Sequence, residues 1–451
     1  YFFRSPRFYR QIEHAVIKID PPPQVQKLET VPLALMLGPS LTMGMTSMST
    51  AILSVTNVIN NGGDITQALP TILMSVSMLL GTVMWPILTK RYEKKQRVKN
   101  EQKRQKKYLA YLDDVRDEIK RKCKEQSDIL SENLVDPNEC ISRIYEEKAN
   151  LWERTNTHND FLRLRLGLGD LPLDADIACS EKKFTMEEDN LQDAMLSLSS
   201  EPKILDRVPI SISLTEDFIS GIYGEKAAVT NFIKTLLLQI VTLHSYDEVK
   251  VILIADNASG SWDFARFIPH FWDNEKKTRF FATTPSEVKE LSAYIENNIL
   301  SRADSEKQEL TDYSPYYVII AADKQLAESS EALEQLLKYK SNSGFSLIYS
   351  TGALKDLPKE VSSVVYVGGN ASCIFDRMDT SGKTVSFLPD VVNESVIETV
   401  AEKLANIELD LSSQRYALPS MITFMEMFRV GKVEHLNSLT RWKENNPTKT
   451  L

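Results

Sequence analysis

Charge is almost absent from one stretch of this 451-residue sequence. Between Glu29 and Lys90 the one formally charged residue is Asp64, in the turn-forming run Asn60-Asn61-Gly62-Gly63-Asp64. On either side lie apolar runs over residues 31–59 and 69–88, each meeting the requirement of about 20 residues for crossing a hydrocarbon core about 30 Å thick. The lack of any ionisable side chain within the runs excludes proton relay or ion coupling there. The first run starts too late and is too long for a cleavable signal peptide. Cysteine is scarce too: Cys123, Cys140, Cys179 and Cys373 are scattered, with no CxxC pair and no histidine at metal-ligand spacing. This excludes a disulfide or zinc framework and leaves reduced cytosolic thiols.

What is present around the charge-free stretch sets its orientation. Arg4, Arg7, Arg10, Lys18 and Lys27 precede it, and Lys90, Arg91, Lys94, Lys95 and Arg97 begin a basic run that continues to Lys107; the intervening loop holds no Lys or Arg. By the positive-inside rule this is a two-span hairpin in a cell membrane with both termini cytoplasmic. The basic run anchors that topology and attracts anionic lipids, and Trp85 suits an interfacial aromatic. The first span is rich in small and weakly polar residues, including Gly38, Thr42, Gly44, Ser47 and Ser54. These suit packing within the hairpin and between subunits, with a pore lining as the alternative. The net charge of the whole chain is −9 despite the basic flanks, so the sequence beyond about residue 110 is acidic, which argues against a nucleic-acid-binding face.

Residues 90–135 lack Pro and Gly and read as one helix leaving the membrane, a basic stalk with Leu109, Leu112, Val115 and Ile119 on one face. Asp136-Pro137-Asn138 breaks it, and residues 139–154 read as a second helix burying Ile141, Ile144, Tyr145 and Leu151. Then come Leu151-Trp152-Glu153-Arg154 and His158-Asn159-Asp160-Phe161-Leu162-Arg163-Leu164-Arg165-Leu166-Gly167-Leu168-Gly169. Together with Phe3-Arg4-Ser5-Pro6-Arg7 at the start and Leu436-Asn437-Ser438-Leu439, Arg441-Trp442 and Asn445-Asn446-Pro447-Thr448 at the end, this order of parts resembles the membrane ATPases of type VII secretion systems, the EssC/EccC family with its FtsK/SpoIIIE-like motor domains. The family-motif positions are Trp152, His158, Asp160, Phe161, Arg163, Arg165, Gly167 and Gly169.

Read physically, the Leu-Arg-Leu-Arg alternation puts Leu162, Leu164 and Leu166 on one face of a strand and Arg163 and Arg165 on the other. The arginines then face solvent, pair within the chain or contact another subunit, and Gly167 and Gly169 allow a turn. His158 caps or packs at the junction. From about residue 208, apolar strands at 208–212, 218–222, 249–255, 317–321, 345–349 and 364–367 alternate with helices at 227–244, 285–302 and 329–340. The fold class is therefore α/β, a mainly parallel sheet covered by helices in the layout of a RecA-like nucleotide-binding domain.

The chemistry of that fold is missing from the sequence. A P-loop needs Gly-x4-Gly-Lys-Ser/Thr, so that backbone amides cradle phosphates, the lysine reaches them and the hydroxyl holds magnesium. The corresponding loop reads Gly221-Ile222-Tyr223-Gly224-Glu225-Lys226-Ala227-Ala228: Lys226 replaces the second glycine, Ala227 the lysine and Ala228 the hydroxyl. Asp323 stands at the Walker B position, but Lys324 follows it where a catalytic glutamate is usual, and Asp323 reads as a helix cap. Ser381-Gly382-Lys383-Thr384 imitates a P-loop end but reads as a hairpin turn. The aromatic cluster of Trp262, Phe264, Phe267, Phe271 and Trp272 reads as a packing element. No catalytic residue, cofactor or metal ligand is expected in this chain.

The resulting organisation is a cytoplasmic segment (1–30), a transmembrane hairpin (31–89), a helical stalk (90–155), a degenerate ATPase-like domain (156–430) and a linker (431–451). The resemblance implies an anchor and force-transmitting part of a secretion motor important for virulence. It further implies ATP and Mg2+ in downstream domains, a hexameric homo-oligomer, and contacts with other secretion-membrane components. WXG-type secreted proteins would bind through the downstream domains, so the full-length protein would be an ATPase while this chain is inactive. A membrane-anchored DNA translocase of the FtsK/SpoIIIE type is the alternative.

Overall fold

A computed structural model describes Phe2, residues 4–24, 33–62, 69–180, 189–274, 276–303, 313–339, 341–369 and 371–409, and a few positions beyond. Phe3, Asp64 and most of the 431–451 linker lie outside the described residues. In chain order the elements begin with β1 (Ala15–Ile19), α1 (Leu33–Asn60), α2 (Leu69–Asn133), α3 (Pro137–Tyr145), β2 (Arg163–Pro172), β3 (Ala175–Cys179), α4 (Asn190–Ser200) and β4 (Ile204–Ser213). There follow β5 (Ile219–Gly224), α5 (Lys226–Leu243), β6 (Val249–Ile254), β7 (Phe281–Ala282), α6 (Pro285–Ala303), β8 (Tyr316–Ala321), α7 (Lys324–Glu328) and α8 (Glu331–Leu337). The last are β9 (Phe345–Thr351), β10 (Ser363–Val367), β11 (Ser372–Asp376), β12 (Thr384–Pro389), α9 (Glu394–Ala405) and α10 (Phe424–Met427). They form two compact units, one of residues 1–9, 131–169 and 209–451, the other of residues 10–130 and 170–208.

The first unit is built on a sheet ordered β4-β2-β12-β11-β10-β5-β9-β8-β6-β7. From β10 to β7 every neighbouring pair is parallel. Strands β6 and β8 are buried at every residue, as expected of central strands with helices on both faces. The expected parallel sheet is thus present, and the strand β9 lies between β5 and β8. Beyond β10 the sheet turns antiparallel through β11, β12 and β2, an extension the strand-helix alternation did not foretell. The segment Ser381–Lys383 lies in the β11–β12 hairpin, with Gly382 at φ +70°. Trp262, Phe264 and Phe271 are core residues, while Phe267 is 39% exposed.

The second unit has its own core. Tyr108, Leu112, Val115 and Ile119 project from one face of α2 onto Ile17 and Ile19 of β1, Leu191, Met195 and Leu198 of α4, and Leu205 and Val208. This is the spacing of an amphipathic helix, but with Tyr108 in the stripe and Leu109 outside it at 47% exposure. β1 pairs in parallel with β3. The stalk read over 90–155 is therefore divided: α2 runs unbroken from Leu69 to Asn133 and forms a wall of this core, while residues 131–155 belong to the first unit. The second helix read there ends at Tyr145, with Asp136 as its N-cap accepting from Asn138 N–H.

Helices α1 and α2 pack against each other near Ser47 and Ser75: Ser75 Oγ donates to Ser47 O at 2.9 Å, and Ser47 Oγ lies 3.1 Å from Met78 Sδ. Among the described residues, the one helix with both the length and the apolar content to cross a membrane is α5, and it is a core helix, about 72% buried. By length and composition the expected two-span hairpin is thus not supported. Hydroxyl-bearing residues lower the apolar content of α1, and the described apolar start of α2, Leu69–Met78, is short.

Candidate functional site

The expected phosphate loop is the junction of β5 and α5. Gly221 lies inside the strand, opposite Val364 of β10 and Tyr349 of β9. A Cβ there would stand 2.8 Å from a methyl of Leu357 and 2.9 Å from one of Val361, so this glycine makes room for side chains over the sheet. At Gly224 a Cβ would overlap the carbonyl oxygen of Val367. Glu225 then serves as N-cap in extended conformation (φ −64°, ψ 133°), without a side-chain capping bond, and the helix begins at Lys226. The loop read over Gly221–Ala228 is corrected to a strand ending at Gly224 and a helix starting two residues later, because Gly221 and Gly224 are both in the parallel ladder.

That geometry does not fit a nucleotide. A phosphate cradle needs several consecutive backbone amides wrapped between strand and helix, and here one residue, Glu225, makes the connection. Lys226 has an 82% exposed side chain whose Nζ is 3.8 Å from Asp256 Oδ2. Ala227 and Ala228 present no hydroxyl for magnesium. Asp323 is the N-cap of α7, its Oδ1 accepting from Leu326 N–H at 3.0 Å. The following Lys324 pairs with Asp356 at 2.9 Å. Among the described residues no group of three or more His, Cys, Asp or Glu side chains is arranged to hold a metal.

The family-motif residues form a different centre in the same unit. Trp152 is fully buried, with Nε1 donating to Val241 O at 2.8 Å. Asp160 Oδ2 accepts from Arg7 Nη2 at 2.8 Å and lies 3.2 Å from Arg154 Nε. Glu153 Oε1 accepts from Arg7 Nη1 at 2.9 Å and from Arg143 Nη1 at 2.7 Å. Arg154 also donates to the carbonyls of Asn133 and Arg163, at 2.7 and 2.6 Å. Burial is the main cause that lowers its guanidinium pKa to about 10, against the attraction of Asp160. Three guanidiniums and two carboxylates thus sit in the interior, where removing one partner leaves an uncompensated charge.

The remaining motif residues surround this centre. His158 Nδ1 faces Thr155 N–H at 3.0 Å and closes the turn before β2. Phe161 packs edge-on against His244 and Tyr316, at 5.1 and 5.6 Å between ring centres. The two strand arginines differ in setting. Arg163 is partly exposed, 3.5 Å from Glu216, while Arg165 is buried and pairs with Asp390 at 2.7 Å and Asp136 at 3.3 Å. Gly167 and Gly169 do not make a turn: β2 continues to Pro172, and a Cβ at either position would overlap a carbonyl oxygen of β12, that of Leu388 or Ser386. Arg143, Asp390 and Gln239, whose Oε1 accepts from Arg165 N–H at 2.8 Å, complete the centre, and no sequence signal singled them out, whereas Glu153 lay within the motif Leu151–Arg154. What the arrangement does is fasten the N-terminal segment, α3 and β2 together. Elsewhere, Arg91, Lys94, Lys95 and Arg97 are exposed on α2, with Lys90 half-buried.

These features can be set beside known proteins. No protein-family model matches the chain. Along its whole length it is 26% identical to the type VII secretion system protein EssC of Staphylococcus aureus, covering 30% of that protein. Over 84% of its length it is 24% identical to the ESX secretion system protein EccC of Geobacillus thermodenitrificans, covering 26% of it. The chain is similar to EssC and EccC, the type VII secretion proteins. It spans about 30% of the length of the EssC relatives it matches. Among solved structures, ATPases 2 and 3 of Thermomonospora curvata EccC, in complex with a signal sequence peptide, align at a TM-score of 0.37 and 13% identity, covering 56% of this chain and 48% of that one. In this chain the first unit is a mixed α/β domain with one large sheet.

Proposed function

We propose that this chain is the membrane-anchoring and force-transmitting part of a type VII secretion protein, and that its own α/β domain does not hydrolyse ATP. The observation that carries the second half is the passage of β5 into α5 through Glu225 alone, which leaves no cradle for phosphates. The hairpin reading draws support from α1 and α2, whose exposed side chains include Met45, Leu53, Leu73 and Leu80. The hydroxyls of Thr46, Ser49, Thr50 and Thr56 donate to carbonyls three or four residues earlier, so these polar groups need no water. Trp85, 71% exposed, and the basic run from Lys90 stand where a cytoplasmic headgroup layer would meet α2.

On this reading both termini are cytoplasmic, the chain assembles with copies of itself as a hexamer, and it touches anionic lipids and other membrane components of the secretion machine. ATP and Mg2+ act in domains downstream, which also receive small helical WXG-type substrates. The full chain, reconstituted in lipid, is expected to show no ATP turnover above background. Turnover abolished by Lys226→Ala overturns the reading.

A further inference from the structure

Two segments of the first unit that are distant in sequence meet. Phe2 forms a parallel bridge with Leu409, and Phe2 N–H donates to Glu408 O at 2.8 Å. The Phe2 ring stands edge-on to Trp152 at 5.5 Å, and Trp152 in turn stands edge-on to Tyr246 at 5.5 Å. The Tyr246 hydroxyl accepts from Leu409 N–H at 3.0 Å, which closes a ring of four residues. The N-terminal segment is fastened further along: Arg4 donates to Ser245 Oγ and to Glu248 Oε1, both at 2.9 Å, and Ser5 N–H donates to Ala149 O at 2.7 Å. Ile407 and Leu409 are 6% and 8% exposed, so the second segment is seated as well.

We infer that these two segments are a coupled latch, in which docking of Phe2 and residues 4–7 and docking of residues 407–409 stabilise one another through the Trp152–Tyr246 pair. The physical basis is shared partners. Tyr246 holds Leu409 by its hydroxyl and supports the ring on which Phe2 rests, while Glu408 supplies the acceptor for Phe2. Loss of either segment removes contacts from the other, and such coupling is reciprocal by thermodynamic necessity. The N-terminal strap precedes α1 in the sequence, and the other segment follows α9. The latch therefore gives a route by which a change at one of these segments alters the hold on the other. It does not depend on what is secreted or on whether the protein is a secretion component.

The test is amide hydrogen exchange on the full chain, read on peptides containing Ser5 and Leu409. Tyr246→Phe removes one hydroxyl and keeps the ring, and Arg4→Ala alters the opposite segment. Each is expected to speed exchange by about fivefold, the effect of losing a typical hydrogen bond, at both Ser5 and Leu409. Peptides from β8, which neither substitution touches, verify that the fold is kept. Acceleration confined to the segment that was altered, or none at either, overturns the latch.

Discussion

His270 is fully buried, with Nε2 donating to the carbonyl of His244 at 2.9 Å. Its Nδ1 is buried without a hydrogen-bond partner among the described residues, so it carries no proton. Burial pulls its pKa down to about 3, and burial also pulls that of His244 well below the usual value near 6.5. Because the folded value is depressed, the unfolded chain binds more protons than the folded one below pH 6.5, and stability falls as pH falls from there towards 3. The slope is at most about 1.4 kcal/mol per pH unit for each such histidine. Chemical denaturation of the full chain at pH 6.5 and 5.5 is expected to show this loss, and His270→Gln is expected to remove one histidine's share. An unchanged pH slope in that variant would show that His270 is protonated in the folded state. Nothing in the sequence marked His270, since burial of a polar side chain depends on strands and helices brought from elsewhere. The same holds for Lys234, 1% exposed in the middle of α5, whose partner Glu394 is remote in sequence. Arg165 was legible only as one of two alternating arginines; its pairing with Asp390 needed the antiparallel half of the sheet.

At the scale of elements, what could be read depended on how much of the pattern was local. Strand β8 is a continuous apolar run, and β6 and β9 are apolar apart from Lys250 and from Ser346, Ser350 and Thr351, which is what burial on both faces demands. Strands β11, β12, β1 and β3 are short or only half-buried, and their patterns are too weak to separate from loops. The glycines of β2 show the limit best. A sequence reader sees Gly-x-Gly after an alternating strand and infers a turn, whereas both glycines allow the backbone of β12 to approach. A methyl at Gly167 must displace the Leu388–Pro389 backbone, so Gly167→Ala is expected to destabilise the first unit by about 1–3 kcal/mol, as overpacking does. Gly382→Ala, in the exposed hairpin tip with nothing within 4 Å, provides a comparison in which only its positive φ is strained. In thermal unfolding, Gly167→Ala should lower the midpoint more than Gly382→Ala. Equal effects would mean that β2 can turn away from β12 at no cost.

At the scale of the whole chain, the membrane reading rests on charge distribution more than on hydropathy. Residues around Asn61 lie between α1 and α2 with no Lys or Arg near them, while Lys90, Arg91, Lys94 and Lys95 follow the second apolar run. Carrying a Lys or Arg through the membrane centre costs about 2.5–3.5 kcal/mol per residue on insertion scales, so the hairpin should leave the basic run inside and pass the uncharged loop outside. The four native cysteines, Cys123, Cys140, Cys179 and Cys373, are free and all follow the basic run. They should therefore be shielded from a membrane-impermeant thiol reagent applied to intact cells, whereas a single Asn61→Cys should be labelled from outside. If Asn61→Cys reacts only after permeabilisation, or if alkaline carbonate extracts the protein, the hairpin does not cross the membrane and α1 and α2 must bury their exposed methionines and leucines against protein.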